Sequence, residues 1–130
     1  MNVLKIKETC IYTRDLEIAR DFYNQVLGFP VLSHVADKHI FFRVGSSVLL
    51  CFNPDDSSTK SSPPPHYGKG KLHFAFEVPD KDYLDVKMKI RKLGISIIDE
   101  VIWQGGKESF YFEDPLGNVL EILPDAGVWD

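Results

Sequence analysis

Three side chains far apart in the sequence, Glu8, His73 and Glu121, are of the types that hold a divalent cation. Glu121 stands in the apolar run VLEIL, where an ionised carboxylate is costly unless it is paired, hydrogen-bonded or bound to a metal. Glu8 and His73 occupy matching places, each on a strand that opens one of two similar segments. One imidazole and two carboxylates on rigid strands make a facial set with open positions, suited to iron, manganese, nickel, cobalt or zinc. Each residue also has a structural reading. Glu121 would lie on the solvated face of an edge strand, His73 would bond a backbone carbonyl, and Glu8 would pair with Lys5 or Lys7. Their symmetric placement favours a shared role, and that placement depends on the surrounding elements.

Phe110 to Leu123, FYFEDPLGNVLEIL, reads as two strands joined by a tight turn. Asp114, Pro115, Leu116 and Gly117 suit a type I turn, with Asp at its first position, Pro at its second and Gly closing it. At the other end, residues 4–13 alternate so that Ile6, Glu8, Cys10 and Tyr12 share one face. Asp15 can cap a helix whose apolar stripe is Leu16, Ala19, Phe22, Tyr23, Val26 and Leu27, with Gly28 ending it. Strands are expected over 29–35, 38–44 and 47–52. Residues 54–70, rich in Ser, Pro, Asp and Gly, read as a mobile linker stiffened by Pro63–Pro65.

The order then repeats. A strand over 72–78 precedes a helix that Asp80 can cap and whose stripe is Tyr83, Val86, Ile90 and Leu93. Lys89, Arg91 and Lys92 favour its C-terminal dipole, and Gly94 ends it. Strands over 96–103, 108–113 and 119–123 complete the set. The chain is thus α+β, with two βαβββ modules (1–53 and 71–130) in a single domain 1–130. Each module is too small to bury a sheet face alone, so the two pack together or against a second chain.

Composition narrows the function classes. Apolar residues make up 44% of the chain, which indicates an ordered globular protein. A formal net charge of −4, with scattered Lys and Arg, argues against nucleic-acid binding. No apolar stretch approaches a membrane span, and the N-terminus lacks a signal-peptide core. Two cysteines, Cys10 and Cys51, without a CxxC spacing imply reduced thiols and a cytoplasmic setting. Cys10 shares the face of Glu8, as cavity lining or as a small apolar filler. Arg43 and Tyr111 lie on strands that could present them to an anionic or phenolic substrate, or to solvent. His34, His39 and His66 lack ligand spacing and read as surface residues. Trp103 with Gln104, Gly105 and Gly106 marks a loop that could cover the site.

The segments ETCIYTRDLEIARDFYNQVLGF, LHFAFEV and SFYFEDPLGNVLEIL together resemble the vicinal oxygen chelate superfamily, the glyoxalase, bleomycin-resistance and dioxygenase group. The resemblance covers nearly the whole chain, through a DLxxxxxFYxxxLGF segment and an FxDPxGxxxE ending. It implies paired βαβββ modules forming a curved mixed sheet around one divalent metal ion, with helices outside. It also implies Glu8, His73 and Glu121 as metal ligands, with Glu8 and Glu121 available for proton transfer. In many members of this size, two chains pair so that Glu8 would come from one subunit and His73 with Glu121 from the other.

The implied activity is Lewis-acid catalysis on a small molecule chelated through adjacent oxygens, as in lactoylglutathione lyase-related or dioxygenase-like enzymes. Lyase, isomerase, transferase and dioxygenase reactions all remain open. Departures from the family pattern are specific. Glyoxalase I and related epimerases place a further ligand or base on the fourth strand, where this chain reads SVLLCFN. The nearest match is Leu49, with Leu50 beside it, and neither takes a proton. Most extradiol dioxygenases carry His at the position of Glu8 and are about twice as long. Fosfomycin-resistance transferases also have His there, and a basic tail. The alternative is a bleomycin-resistance-type binding protein without metal, whose groove the many aromatic residues would suit.

Overall fold

The computed structural model of the protein describes residues 1–130, which divide into two compact units, Met1–Lys69 and Gly70–Asp130. In the first unit, β1 (Glu8–Tyr12) leads to α1 (Leu16–Arg20), which runs into a π-helical turn over Asp21–Val26. β2 (Val31–Val35), β3 (His39–Val44) and β4 (Ser47–Phe52) follow, and a one-turn helix α2 (Pro54–Ser57) comes last. The strands lie in the order β1-β4-β3-β2, with β1 parallel to β4 and the other pairs antiparallel.

The second unit repeats this plan. β5 (His73–Val78) precedes a 3₁₀ turn over Asp80–Asp82 and the helix α3 (Tyr83–Lys92). β6 (Asp99–Ile102), β7 (Glu108–Glu113) and β8 (Val119–Pro124) complete a sheet ordered β5-β8-β7-β6. Again the outer pair β5–β8 is parallel and the rest antiparallel. The expected α+β class and the doubled βαβββ order are therefore present as two mixed four-stranded sheets.

Alternation sorts each sheet into a helix-covered face and an opposite face. In the first unit Ile11, Ile40, Phe42, Leu49 and Cys51 are buried with Leu16, Ala19, Phe22 and Tyr23. In the second, Phe110, Phe112, Leu120 and Ile122 are buried with Tyr83 and Ile90 of α3. Burying each such large apolar side chain stabilises by about 2 kcal/mol, which offsets the ordering of the strands. Glu8, Cys10 and Tyr12 in β1, and His73, Ala75 and Glu121 in β5 and β8, fall on the opposite faces.

Local chemistry explains the boundaries. Asp15 caps α1 by accepting from the Ile18 amide at 3.3 Å. The helix expected to run to Leu27 changes winding at Asp21: the Leu27 amide donates to the Phe22 carbonyl, a five-residue span, at 2.9 Å. Phe22 and Tyr23 both enter the core from this wider turn. β1 starts at Glu8 rather than residue 4, because Leu4 and Ile6 stand exposed without a strand beside them. The stretch expected as a linker begins with α2, where the Asn53 side chain accepts from the Asp55 amide at 3.0 Å. It is tied further by Ser57, whose Oγ donates to the His66 carbonyl at 2.7 Å while its own carbonyl accepts from the His66 amide at 3.1 Å.

The turn before β8 follows its sequence. Asp114 Oδ1 accepts from the Leu116 and Asn118 amides at 2.9 and 2.8 Å, and Asp114 Oδ2 from Asn118 Nδ2 at 2.8 Å. The Gly117 amide donates to the Asp114 carbonyl at 3.2 Å with φ of +88°, a conformation that favours glycine. This turn fixes where β8 begins, and so which face Glu121 takes.

Candidate metal centre

His73 and Glu121 meet on the face of the second sheet turned away from α3. β5 and β8 pair in register from His73–Val119, so Glu121 lies opposite Ala75, one step diagonal from His73. His73 Nε2 is 3.3 Å from Glu121 Oε2. His73 Nδ1 is 2.9 Å from the Val119 carbonyl oxygen, which can only accept, so the ring carries its proton on Nδ1. A metal would take the place of any proton on Nε2, the nitrogen turned toward Glu121, and the carbonyl fixes the ring's direction.

Glu121 is only 5% exposed, and its Oε1 has no hydrogen-bond partner. A buried carboxylate oxygen left unpaired is destabilising by itself and suits a position that a cation completes. Tyr111 faces Glu121 directly across the β7–β8 pair, and its ring lies 6.0 Å from that of His73. Burial, and then the neighbouring Glu121 carboxylate, push the Tyr111 hydroxyl above its usual range, so it stays a proton donor. Ser109, two residues earlier on the same face, accepts from Trp103 Nε1 at 2.9 Å. The loop after Trp103 is thereby anchored beside this face.

The third expected residue, Glu8, is exposed at the start of β1 in the first unit. The side chains on its face form rows across β1, β4 and β3: Glu8, Val48 and Arg43, then Cys10, Leu50 and Phe41, then Tyr12, Phe52 and His39. No group of three His, Cys, Asp or Glu side chains forms a metal cage in the structure. The geometry brings together two of the three candidate ligands within the second unit, and Glu8 belongs to the first.

Register also locates the departure on the fourth strand. Glu121 lies opposite the residue two past His73, and the residue opposite the one two past Glu8 is Leu50. Leu49, the nearest match by sequence, points into the helix-covered core and is 2% exposed. Leu50 is thus the positional counterpart of Glu121, and the absence of a proton-accepting group there holds.

Two histidines differ from their expected surface roles. His66 is half-buried, with its Nδ1 2.9 Å from the Tyr12 hydroxyl and its ring packed edge-on against Phe52. His39 stacks on Phe41 at 4.0 Å and its Nε2 meets Ser33 Oγ at 2.9 Å. The partners Tyr12, Phe52 and Ser33 lie on other strands, so these contacts gave no spacing signal. His34 is exposed, 3.6 Å from a Glu17 oxygen. Cys10 and Cys51 are free thiols. No helix is long and apolar enough to cross a membrane.

Comparison with known proteins agrees with this architecture. The family model described as the glyoxalase/bleomycin resistance protein/dioxygenase superfamily matches residues 5–122. A lactoylglutathione lyase from Agrobacterium tumefaciens, solved by crystallography, is 31% identical, with a TM-score of 0.88 over 95% of this chain and 96% of that one. A glyoxalase/dioxygenase from Nostoc punctiforme, 21% identical, shares the fold with a TM-score of 0.67 over 98% and 99% of the two chains. A catechol-2,3-dioxygenase from Bacillus subtilis (strain 168) is 30% identical over 115 residues, 86% of this chain. The chain spans only 38% of that relative's length. With its doubled βαβββ order and a family match over most of its length, the chain belongs to the glyoxalase, bleomycin resistance protein and dioxygenase superfamily.

Proposed function

We propose that the protein is a divalent-metal-dependent enzyme acting on a small molecule with adjacent oxygens, with His73, Glu121 and Glu8 as its metal ligands. The observation that carries this reading is the pairing of a metal-ready imidazole nitrogen with a buried carboxylate that has an unpartnered oxygen. Glu8 supplies the third donor, in a homodimer where one subunit gives Glu8 and its partner gives His73 and Glu121. The bound ion would supply Lewis acidity toward the substrate oxygens. The chain's own groups do the rest: Tyr111 donates a hydrogen bond beside Glu121, and Glu8 or Glu121 takes a proton from bound substrate. Leu50 offers no base, so proton transfer falls to those carboxylates rather than to the fourth strand. The free thiols suit a cytoplasmic setting.

The test is elemental analysis of protein purified without chelators. About one metal per chain is expected for the native protein, and little for His73→Ala. Native metal content in that variant removes the reading. A metal-free binding protein is the second reading, favoured by the cluster of Tyr12, Phe41, Phe52, His39 and His66. Absence of metal in the native protein, with retained ligand binding, would select it.

A further inference from the structure

The proline run near the end of the first unit takes no part in the metal reading. Ser61 to Pro65 are all exposed, and Tyr67 close by is 73% exposed. The chain on either side of the prolines is held firmly. Ser57 Oγ donates to the His66 carbonyl at 2.7 Å, and the His66 amide donates to the Ser57 carbonyl at 3.1 Å, which closes the loop at its base. His66 Nδ1 lies 2.9 Å from the Tyr12 hydroxyl. Gly68 packs so closely on Tyr12 that an added Cβ would stand 3.0 Å from two of its ring carbons. The prolines are thus presented from a fixed base.

Covalent geometry sets their conformation. Each proline holds its own φ near about −65°, and Pro63 and Pro64, each followed by proline, are also confined to extended ψ. That is the polyproline II conformation, with about three residues per turn and a rise of about 3.1 Å per residue. Continued through Tyr67, it places Pro64 and Tyr67 on one edge, about 9 Å apart, and His66 on another. Burial follows the same division: His66 is half-buried and hydrogen-bonded, while Pro64 and Tyr67 are exposed. The proline carbonyls take no backbone hydrogen bond within the chain and stay open as acceptors.

We propose that Pro64, Pro65 and Tyr67 form a docking ridge for a partner domain of the proline-recognition kind, whose groove is walled by aromatic rings. The two pyrrolidine rings seat between those walls, a Trp or Tyr of the groove donates to a proline carbonyl, and the Tyr67 phenol fills a pocket beyond. Because the ridge is ordered before it binds, docking loses little conformational entropy. Spacing narrows the partner further. No second proline stands three residues from any of the three, so a groove that reads PxxP, as in SH3 domains, is not matched. Two adjacent prolines with an aromatic residue two places on suit a WW domain instead.

The test titrates the full chain, labelled with nitrogen-15, with an isolated WW domain of the class that binds Pro-Pro-x-Tyr and, separately, with an SH3 domain. The WW domain is expected to bind about tenfold or more tightly than the SH3 domain, with amide shifts centred on His66 to Lys69. Pro64→Ala and Tyr67→Ala are each expected to weaken that binding about tenfold or more, and Tyr67→Phe to keep most of it. Both positions are exposed, and the amide spectrum away from the loop verifies that each variant is folded. Absence of saturable binding by the native chain, unchanged affinity in folded Tyr67→Ala, or shifts centred elsewhere overturns the proposal. Self-association of the native chain in sedimentation that Tyr67→Ala abolishes, without WW binding, gives the ridge to a second copy and overturns it as well.

Discussion

His73 Nε2 stands 3.3 Å from Glu121 Oε2 across the parallel β5–β8 pair, while the other oxygen of that carboxylate is buried with no hydrogen-bond partner. Such a group opposes folding in the absence of a cation and serves binding when one is present. Replacing it should therefore move stability and metal affinity in opposite directions. Glu121→Leu is expected to stabilise the metal-free protein by about 1 kcal/mol, since apolar replacements of buried charges are often stabilising. Metal affinity is expected to fall by about 100-fold or more. Urea unfolding of chelator-treated protein and metal titration check the two halves. A destabilised metal-free variant would mark Glu121 as structural.

The position of that carboxylate depends on the turn before it. Asp114 is 4% exposed and accepts three hydrogen bonds from Leu116 and Asn118. Asp114→Ala removes both acceptor oxygens and with them all three hydrogen bonds, and is expected to cost about 2–4 kcal/mol, measured by chemical denaturation. Asp114→Asn keeps one amide-accepting oxygen and is expected to cost less. Because β8 opens at Val119, whose carbonyl orients His73, metal affinity is expected to fall in the same order.

How much of this could be read from the chain follows from the range of each interaction. The Asp114 turn was legible because its partners lie within four residues. The two modules were legible because alternation and helical spacing recur with the same order. His73 and Glu121 stood out as chemically expensive residue types in apolar strands. The Val119 carbonyl that sets the His73 tautomer was not visible, since it depends on register across 46 residues. The same limit made Leu49 rather than Leu50 the nearest match, because a shift of one residue reverses the face. The π-helical turn was hidden because Leu16 to Leu27 fits an α-helical stripe equally well.

Lys87 shows the same limit in the second unit, where it lies on α3 with its side chain 10% exposed. Its ammonium is 2.6 Å from Glu100 and 2.5 Å from Glu108, and Glu108 also accepts from the Tyr83 hydroxyl at 3.1 Å. Burial alone would lower the Lys87 pKa, but its bonds to Glu100 and Glu108 outweigh burial and raise it. The bond to Lys87 holds Glu100 below the usual carboxylate range. The Glu100 contribution is thus present above its unfolded value near 4.5 and lost as pH falls through the lower folded value. The Lys87 contribution is complete below its unfolded value near 10.5 and lost as pH rises through the higher folded value. Lys87→Met is expected to cost about 1–3 kcal/mol at neutral pH, by leaving Glu108 short of a partner. The difference from native protein is expected to shrink at both pH extremes, measured by urea unfolding across pH.

The first unit offers the complementary experiment, because Leu50 occupies the place that Glu121 holds in the second. It is 8% exposed and lies opposite Cys10, in the row next to Glu8. Leu50→Glu puts a carboxylate into that buried place and is expected to destabilise the metal-free protein by about 2–4 kcal/mol. If Glu8 holds a cation, the new carboxylate gains a counter-charge within reach and metal affinity rises. A ligand that binds only the folded state stabilises it in proportion to the logarithm of its concentration over its dissociation constant. Saturating metal is therefore expected to raise the melting temperature of Leu50→Glu more than that of the native protein. An equal or smaller rise would show that the residue beside Glu8 does not face the ion, and Glu8 would lose its place among the ligands.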